Sequence, residues 1–192
     1  MNTTKPPPPA LLAAIERNFA EANNAILKLT AYNELSRQDI TYVRMSFFVI
    51  VQQALHYDMI AHAMKILDSH SSARGLNYIR KVNQAAVLRA AAKNHIDLAE
   101  IDIFAAKLKH VRDKTQFHID AASLKDAKAV WAAADIRGDL FVRSLKNLAI
   151  LLSDLKTSLF GGETLYVTEY DGSDIPKIVK AFETVHGITH GA

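Results

Sequence analysis

The residues best suited to acid–base chemistry on a phosphate lie between positions 107 and 120. The cations of this stretch are Lys107, Lys109, Arg112 and Lys114. Within residues 107–114 a single acid, Asp113, opposes them, and His110 and His118 can add further positive charge. Arginine offers phosphate oxygens a planar fork of donors, and histidine exchanges a proton near about pH 6.5. The segment therefore predicts a phosphate-binding site that can also move protons.

RNA can be cleaved with these groups and without a metal ion. The neighbouring 2′-OH attacks the phosphorus, one proton leaves the nucleophile and another reaches the 5′ oxygen. The chain has no cysteine, which excludes thiolate metal sites, iron–sulfur clusters and cysteine nucleophiles. It also lacks a glycine-rich phosphate loop and the H-E-x-x-H, G-x-S-x-G and EF-hand motifs. We therefore expect no metal and no cofactor at this site.

Arg112 and His118 form an R-x5-H pair within Arg-Asp-Lys followed by Phe-His-Ile-Asp. This phrase resembles the R-x4-6-H signature of HEPN domains. A long second helix closing on Ile-Leu-Asp at residues 66–68 is similar to the AbiU-type abortive-infection branch. The resemblance covers roughly residues 40–159. Arg89 and His95 form a second pair of the same spacing. In the family members that the chain resembles, a polar residue follows the arginine; Asp113 matches this pattern and Ala90 does not.

The resemblance implies an all-α, dimeric, metal-independent endoribonuclease of a toxin–antitoxin or phage-defence system. Arg112 would bind the scissile phosphate, His118 would act as general acid or base, and Asp113 would orient one of them. Residues that would hold the RNA backbone are Lys109, His110 and Lys114. We expect RNA as the substrate, a homodimer as the working unit, and an antitoxin or nucleotidyltransferase as a further partner.

Helix geometry limits how Arg112 and His118 can meet. Six residues on an unbroken helix leave two side chains about 120° apart and roughly 9 Å apart along the axis. Either the helix breaks near residues 115–117, or a second copy of the chain completes the site.

Other readings of these features remain open. The lysines could complement a helix dipole, Arg112 could bind a neighbouring helix, and His118 could cap a turn. The whole chain could instead be a non-catalytic homodimer or adaptor that associates through the apolar second helix and a leucine seam on a later helix. A third alternative is a ligand-responsive helical regulator. The seam residues are Phe141, Leu145, Leu148, Leu152, Leu155 and Leu159. His56 and His62, on the apolar second helix, favour packing or a hydrogen bond across the bundle.

The apolar spacing of the chain predicts the elements that position these residues. In 192 residues there are 7 Gly and 5 Pro, and steps of three and four dominate. We expect an all-α, HEPN-like bundle of six or seven mostly antiparallel helices. Residues 1–9 should be a flexible proline-rich leader, and residues 10–192 a single domain with a C-terminal extended segment and helix. The apolar runs are too short for a membrane span or a signal peptide, which predicts a cytoplasmic protein.

Overall fold

The computed structural model describes residues 7–40, 45–70, 72–115, 127–136 and 138–188. These residues form eight α-helices and no β-strand, which confirms the predicted all-α bundle. The helices are α1 (Pro9–Ser36), α2 (Ser46–Leu67), α3 (Leu76–Val82), α4 (Gln84–Lys93), α5 (Leu98–Thr115), α6 (Ala127–Ala134), α7 (Gly138–Phe160) and α8 (Ile175–His186).

The helix count exceeds the expected six or seven because of Asn83. The sequence predicts one helix over residues 76–93, but the structure divides it into α3 and α4. Asn83 lies outside the helical region at φ −150° and ψ 68°, and its side-chain oxygen accepts a hydrogen bond from the Ala86 amide at 3.2 Å. Asparagine competes with a helical backbone in this way and favours helix starts.

Helix α2 begins later than the apolar spacing predicts. The expected start is Ile40, whereas α2 starts at Ser46. Ile40 and Met45 are nevertheless buried, in a small second core with Phe48 and Val179 from α8. At Ile40 and Met45 the apolar pattern therefore reports burial rather than helix.

Helix α1 packs mainly against α2 and α7. Polar pairs between α1 and α2 show that the two helices are antiparallel, because residues further along α1 meet residues earlier on α2. The pairs are Glu21–His62, Lys28–Asp58 and Ser36–Gln52. Gly75 then allows α3 to approach the end of α2, where a Cβ would collide with the carbonyl oxygen of Ile66.

The leucine seam of α7 is buried inside the chain. Five of its residues are at most 3% exposed, and Leu159 is packed against the same core. The five are Phe141, Leu145, Leu148, Leu152 and Leu155. The expectation that this seam meets a second protein is therefore wrong, because α1 and the neighbouring helices of the same chain already cover it.

Helix α2 is strongly apolar but leaves part of its surface uncovered. Phe47, Ile50 and Tyr57 are 61%, 63% and 52% exposed, and they recur along one side of the helix. Neither α2 nor any other helix in the described parts of the chain has the length and apolar character needed to cross a membrane.

The segment after α7 forms neither helix nor strand, and it is bonded to two helices. Ser153 of α7 donates to the Leu165 carbonyl at 2.9 Å and accepts from the Leu165 amide at 3.2 Å. Asn23 of α1 accepts from the Thr168 amide at 2.7 Å and donates to the Thr168 hydroxyl at 3.0 Å. Side chains of α1 and α7 thus satisfy backbone groups that a neighbouring strand would otherwise satisfy.

Candidate functional site

The carboxyl-terminal part of α5 carries a compact cluster of Lys109, Arg112 and Asp113. One carboxylate oxygen of Asp113 accepts from Arg112 Nε at 2.8 Å and from Arg112 Nη2 at 2.6 Å. The other oxygen accepts from Lys109 Nζ. Two cations therefore share one acid, and the cluster keeps a net positive charge.

The cluster is anchored on the core at one side. The side chains of Arg112 and Asp113 are only 20% and 30% exposed, and the preceding residue, Val111, is fully buried. Hydrogen bonds from Lys109 and then Arg112 hold the pKa of the Asp113 carboxyl below its ordinary value, against the opposing effect of burial. Asp113 is thus ionised at neutral pH and holds the guanidinium in one orientation.

The cations of the segment do not share one face of α5. With about 100° of turn per residue, Lys109 lies about 60° from Arg112, whereas His110 and Lys114 lie about 160° from it. Lys107 instead bonds Asp135, directly after α6, donating to its carbonyl at 2.8 Å and to its carboxylate at 3.2 Å. The helix therefore brings Lys109, Arg112 and Asp113 together and turns His110 and Lys114 to its other side.

His118 lies outside the residues that the structure describes. Helix α5 continues to Thr115, the last described residue before the gap at 116–126. Ser123 and Asp126, whose spacing predicts a capping box at the start of α6, fall in the same gap. The pairing of Arg112 with His118, within one chain or across a two-fold axis, therefore stays a prediction.

The second R-x5-H pair is placed very differently. Arg89 is exposed on α4, and His95 is exposed beyond the end of that helix. His95 occupies the left-handed region at φ 55°, in the turn before α5. A helix end separates the two side chains, and Asp154 of α7, only 14% exposed at the side chain, bonds Lys93, which lies between them in the sequence. This difference favours the Arg112 pair as the candidate site.

An ion cluster at the interface of α1 and α2 includes one of the two histidines assigned to packing. The carboxylate of Glu21 is almost fully buried and accepts from His62 Nδ1 at 2.5 Å, from Lys65 at 3.1 Å and from Arg17 at 2.7 Å. Burial has the largest influence on Glu21 and raises its pKa, but the bonds from His62 and Lys65 together lower the pKa below its ordinary value. The expected hydrogen bond across the bundle is confirmed for His62.

His56 packs among aromatic rings, as expected, but it does so beside a surface pocket that the sequence analysis missed. Its ring centre lies 5.5 Å from that of Tyr32 and 5.0 Å from that of Trp131. The available signal was the polar and aromatic face that Gln52, Gln53, His56 and Tyr57 form on an otherwise apolar helix.

Within the described residues, no group of three or more histidine and acidic side chains is arranged to hold a metal ion. Comparison with known proteins finds no matching family model, no similar curated protein and no similar solved structure.

Proposed function

We propose that the protein is a cytoplasmic, metal-independent endoribonuclease of the toxin or abortive-infection kind, with a HEPN-like site formed by Arg112 and His118 at a homodimer interface. The observation that supports the proposal best is the bonding of Arg112 by Asp113 beside Lys109. A fixed guanidinium next to a second cation is suited to a phosphate that gains charge in the transition state.

The proposed reaction is an internal transfer within the RNA strand. The 2′ oxygen bonds to phosphorus while the bond from phosphorus to the 5′ oxygen breaks, which leaves a 2′,3′-cyclic phosphate and a 5′-hydroxyl. His118 of one subunit takes the proton of the 2′-OH, and His118 of the second subunit protonates the 5′ oxygen. Arg112 stabilises the charge on the phosphate oxygens, and Asp113 keeps its guanidinium in place.

The remaining basic residues of α5 would bind the strand away from the scissile phosphate. Lys109 shares a face with Arg112, so it would contact an adjacent phosphate. His110 and Lys114 lie on the other side of α5 and would contact RNA that continues around the helix. Binding through these phosphates should weaken steeply as the salt concentration rises. An antitoxin or nucleotidyltransferase would control such an activity in the cell.

Incubation with total RNA in EDTA tests the proposal. Wild-type protein should produce fragments, and Arg112→Ala and His118→Ala should reduce the rate by roughly 100-fold or more, as expected for loss of a proton-transfer group or a charge-stabilising donor. Arg89→Ala is the matched control, because Arg89 belongs to the other R-x5-H pair. This variant should cleave RNA as the wild type does. Equal product from the wild type and both site variants would remove the catalytic claim.

A second candidate is a non-catalytic homodimer or adaptor, and the uncovered side of α2 favours it. Phe47, Ile50 and Tyr57 present an apolar surface that association could cover. Mass measurement in solution, alone and with the product of an adjacent gene, separates the two functions. A protein that binds a partner and leaves RNA intact would support the adaptor.

A further inference from the structure

A small pocket lies between the end of α1 and the middle of α2, apart from the Arg112 cluster. Its volume is about 180 Å³, and Tyr32, Gln52, Gln53, His56 and Tyr57 line it. Three of the five side chains are aromatic rings and two are amides. The lining contains no carboxylate and no lysine or arginine, so it is suited to a flat, neutral group with polar edges.

The aromatic wall is fixed by packing. The ring centre of His56 lies 5.5 Å from Tyr32, 5.8 Å from Tyr57 and 5.0 Å from Trp131, which stands behind it on α6. His56 Nδ1 is buried and has no hydrogen-bond partner among the described residues, so the neighbouring rings hold the imidazole. Burial lowers the pKa of His56 below its ordinary value, which keeps the ring neutral at pH 7.

The polar edge of the pocket is also organised before any ligand arrives. Gln52 Nε2 donates to the Ser36 hydroxyl at 3.0 Å, and this hydroxyl donates to the Tyr32 carbonyl at 2.7 Å. The chain of bonds orients the Gln52 amide, and its carbonyl oxygen can still accept. Gln53, exposed at the rim, offers both a donor and an acceptor.

We propose that this pocket binds one unstacked nucleobase of single-stranded RNA. The base would stack on Tyr57 and Tyr32, and its edge would bond to the amides of Gln52 and Gln53. Aromatic stacking combined with amide contacts to base edges is how proteins read unpaired RNA.

The pocket is connected to the helix that carries the proposed phosphate site. Trp131 of α6 contacts His56, and Asp135, directly after α6, is bound by Lys107 of α5. The choice of RNA as the source of the base rests on the proposed function, whereas a free nucleotide offers the same chemistry without it.

Binding to an oligonucleotide that cannot be cleaved tests the pocket separately from catalysis. The probe is a 2′-O-methyl oligoribonucleotide of mixed sequence, since its blocked 2′ oxygen cannot attack, and the four nucleoside 5′-monophosphates form a second arm. Trp131 is the single tryptophan of the chain, so its fluorescence reports binding against the His56 wall.

Tyr57→Ala and Gln53→Ala should each weaken oligonucleotide binding, and the loss for Tyr57→Ala should be about 5- to 150-fold. Both residues are exposed, so their replacement should leave the fold intact. Tyr166→Ala, at an 80% exposed tyrosine outside the pocket, is the matched control and should bind like the wild type. An abasic site in place of the nucleotide whose base enters the pocket should weaken oligonucleotide binding by the wild type. It should leave binding by Tyr57→Ala unchanged.

The outcomes separate the pocket from the nuclease. Normal oligonucleotide affinity in Tyr57→Ala and Gln53→Ala would overturn the pocket even if RNA is cleaved. No binding of either probe by the wild type would overturn it as well. Pocket-dependent binding of an RNA that is never cleaved would support the pocket and contradict the nuclease. Binding of monophosphates alone would overturn RNA as the occupant.

Discussion

Replacement of Leu148 by alanine measures whether the α7 seam belongs to the core of the chain or to a partner interface. Leu148 is fully buried within the monomer. Truncation of such a leucine costs about 2.7–5 kcal/mol, from lost apolar transfer and the cavity left behind. For a chain of this size each kcal/mol lowers the melting temperature by about 2–4 °C. A loss near 3 kcal/mol therefore predicts a decrease of about 6–12 °C.

Calorimetry at two protein concentrations provides the assay, and Ile150→Ala provides the control. Ile150 lies on the same helix but is 46% exposed, so its truncation should cost about 1 kcal/mol or less. The decrease for Leu148→Ala should be the same at both concentrations. Equal, small losses in the two variants, or a decrease for Leu148→Ala that depends on protein concentration, would refute the intramolecular assignment of the seam.

Three further perturbations follow from the structure. Glu21→Gln should lower the free energy of unfolding at pH 7 by about 1–3 kcal/mol. Because the pKa of Glu21 is lowered in the folded state, the difference between variant and wild type should shrink as the pH falls below about 4.5. A difference in urea unfolding that does not change with pH would contradict this. Because burial lowers the pKa of His56, Trp131 fluorescence, quenched by a protonated imidazole, should titrate with a midpoint below about 6.5; His56→Phe should abolish that transition, and its persistence would exclude His56 as the quencher. Gly75→Ala should destabilise the chain measurably in thermal unfolding, since its Cβ would meet the Ile66 carbonyl, and an unchanged melting temperature would show that α3 can shift.

The fold class and most helix boundaries were predictable because apolar spacing reports which side of a helix is buried. The Asn83 division was not, since one side chain that bonds the Ala86 amide outweighs a continuous apolar pattern. The seam of α7 was recognised, but its partner was not. Spacing shows that a face must be covered and carries no information on whether α1 of the same chain covers it.

The candidate site was predictable only in part, for a similar reason. Lys109 and Asp113 are four residues apart, so their contact follows from helix geometry, whereas the bond between the adjacent residues Arg112 and Asp113 does not. The pocket beside Tyr32 depends on how α1 packs against α2. Tyr32 and Gln52 are twenty residues apart in the sequence, and no local pattern encodes their contact. The position of His118 relative to Arg112 depends on residues outside the described ranges.

The chemical form of the RNA ends tests the central claim most directly. A synthetic RNA cut by the protein in EDTA should yield a 2′,3′-cyclic phosphate and a 5′-hydroxyl, and a single 2′-deoxy substitution at the cut nucleotide should abolish the cut. His118→Ala should remove the product at every pH tested. Fragments with 3′-hydroxyl ends, cleavage at the deoxy position, or cleavage that only an added divalent metal permits would contradict the account.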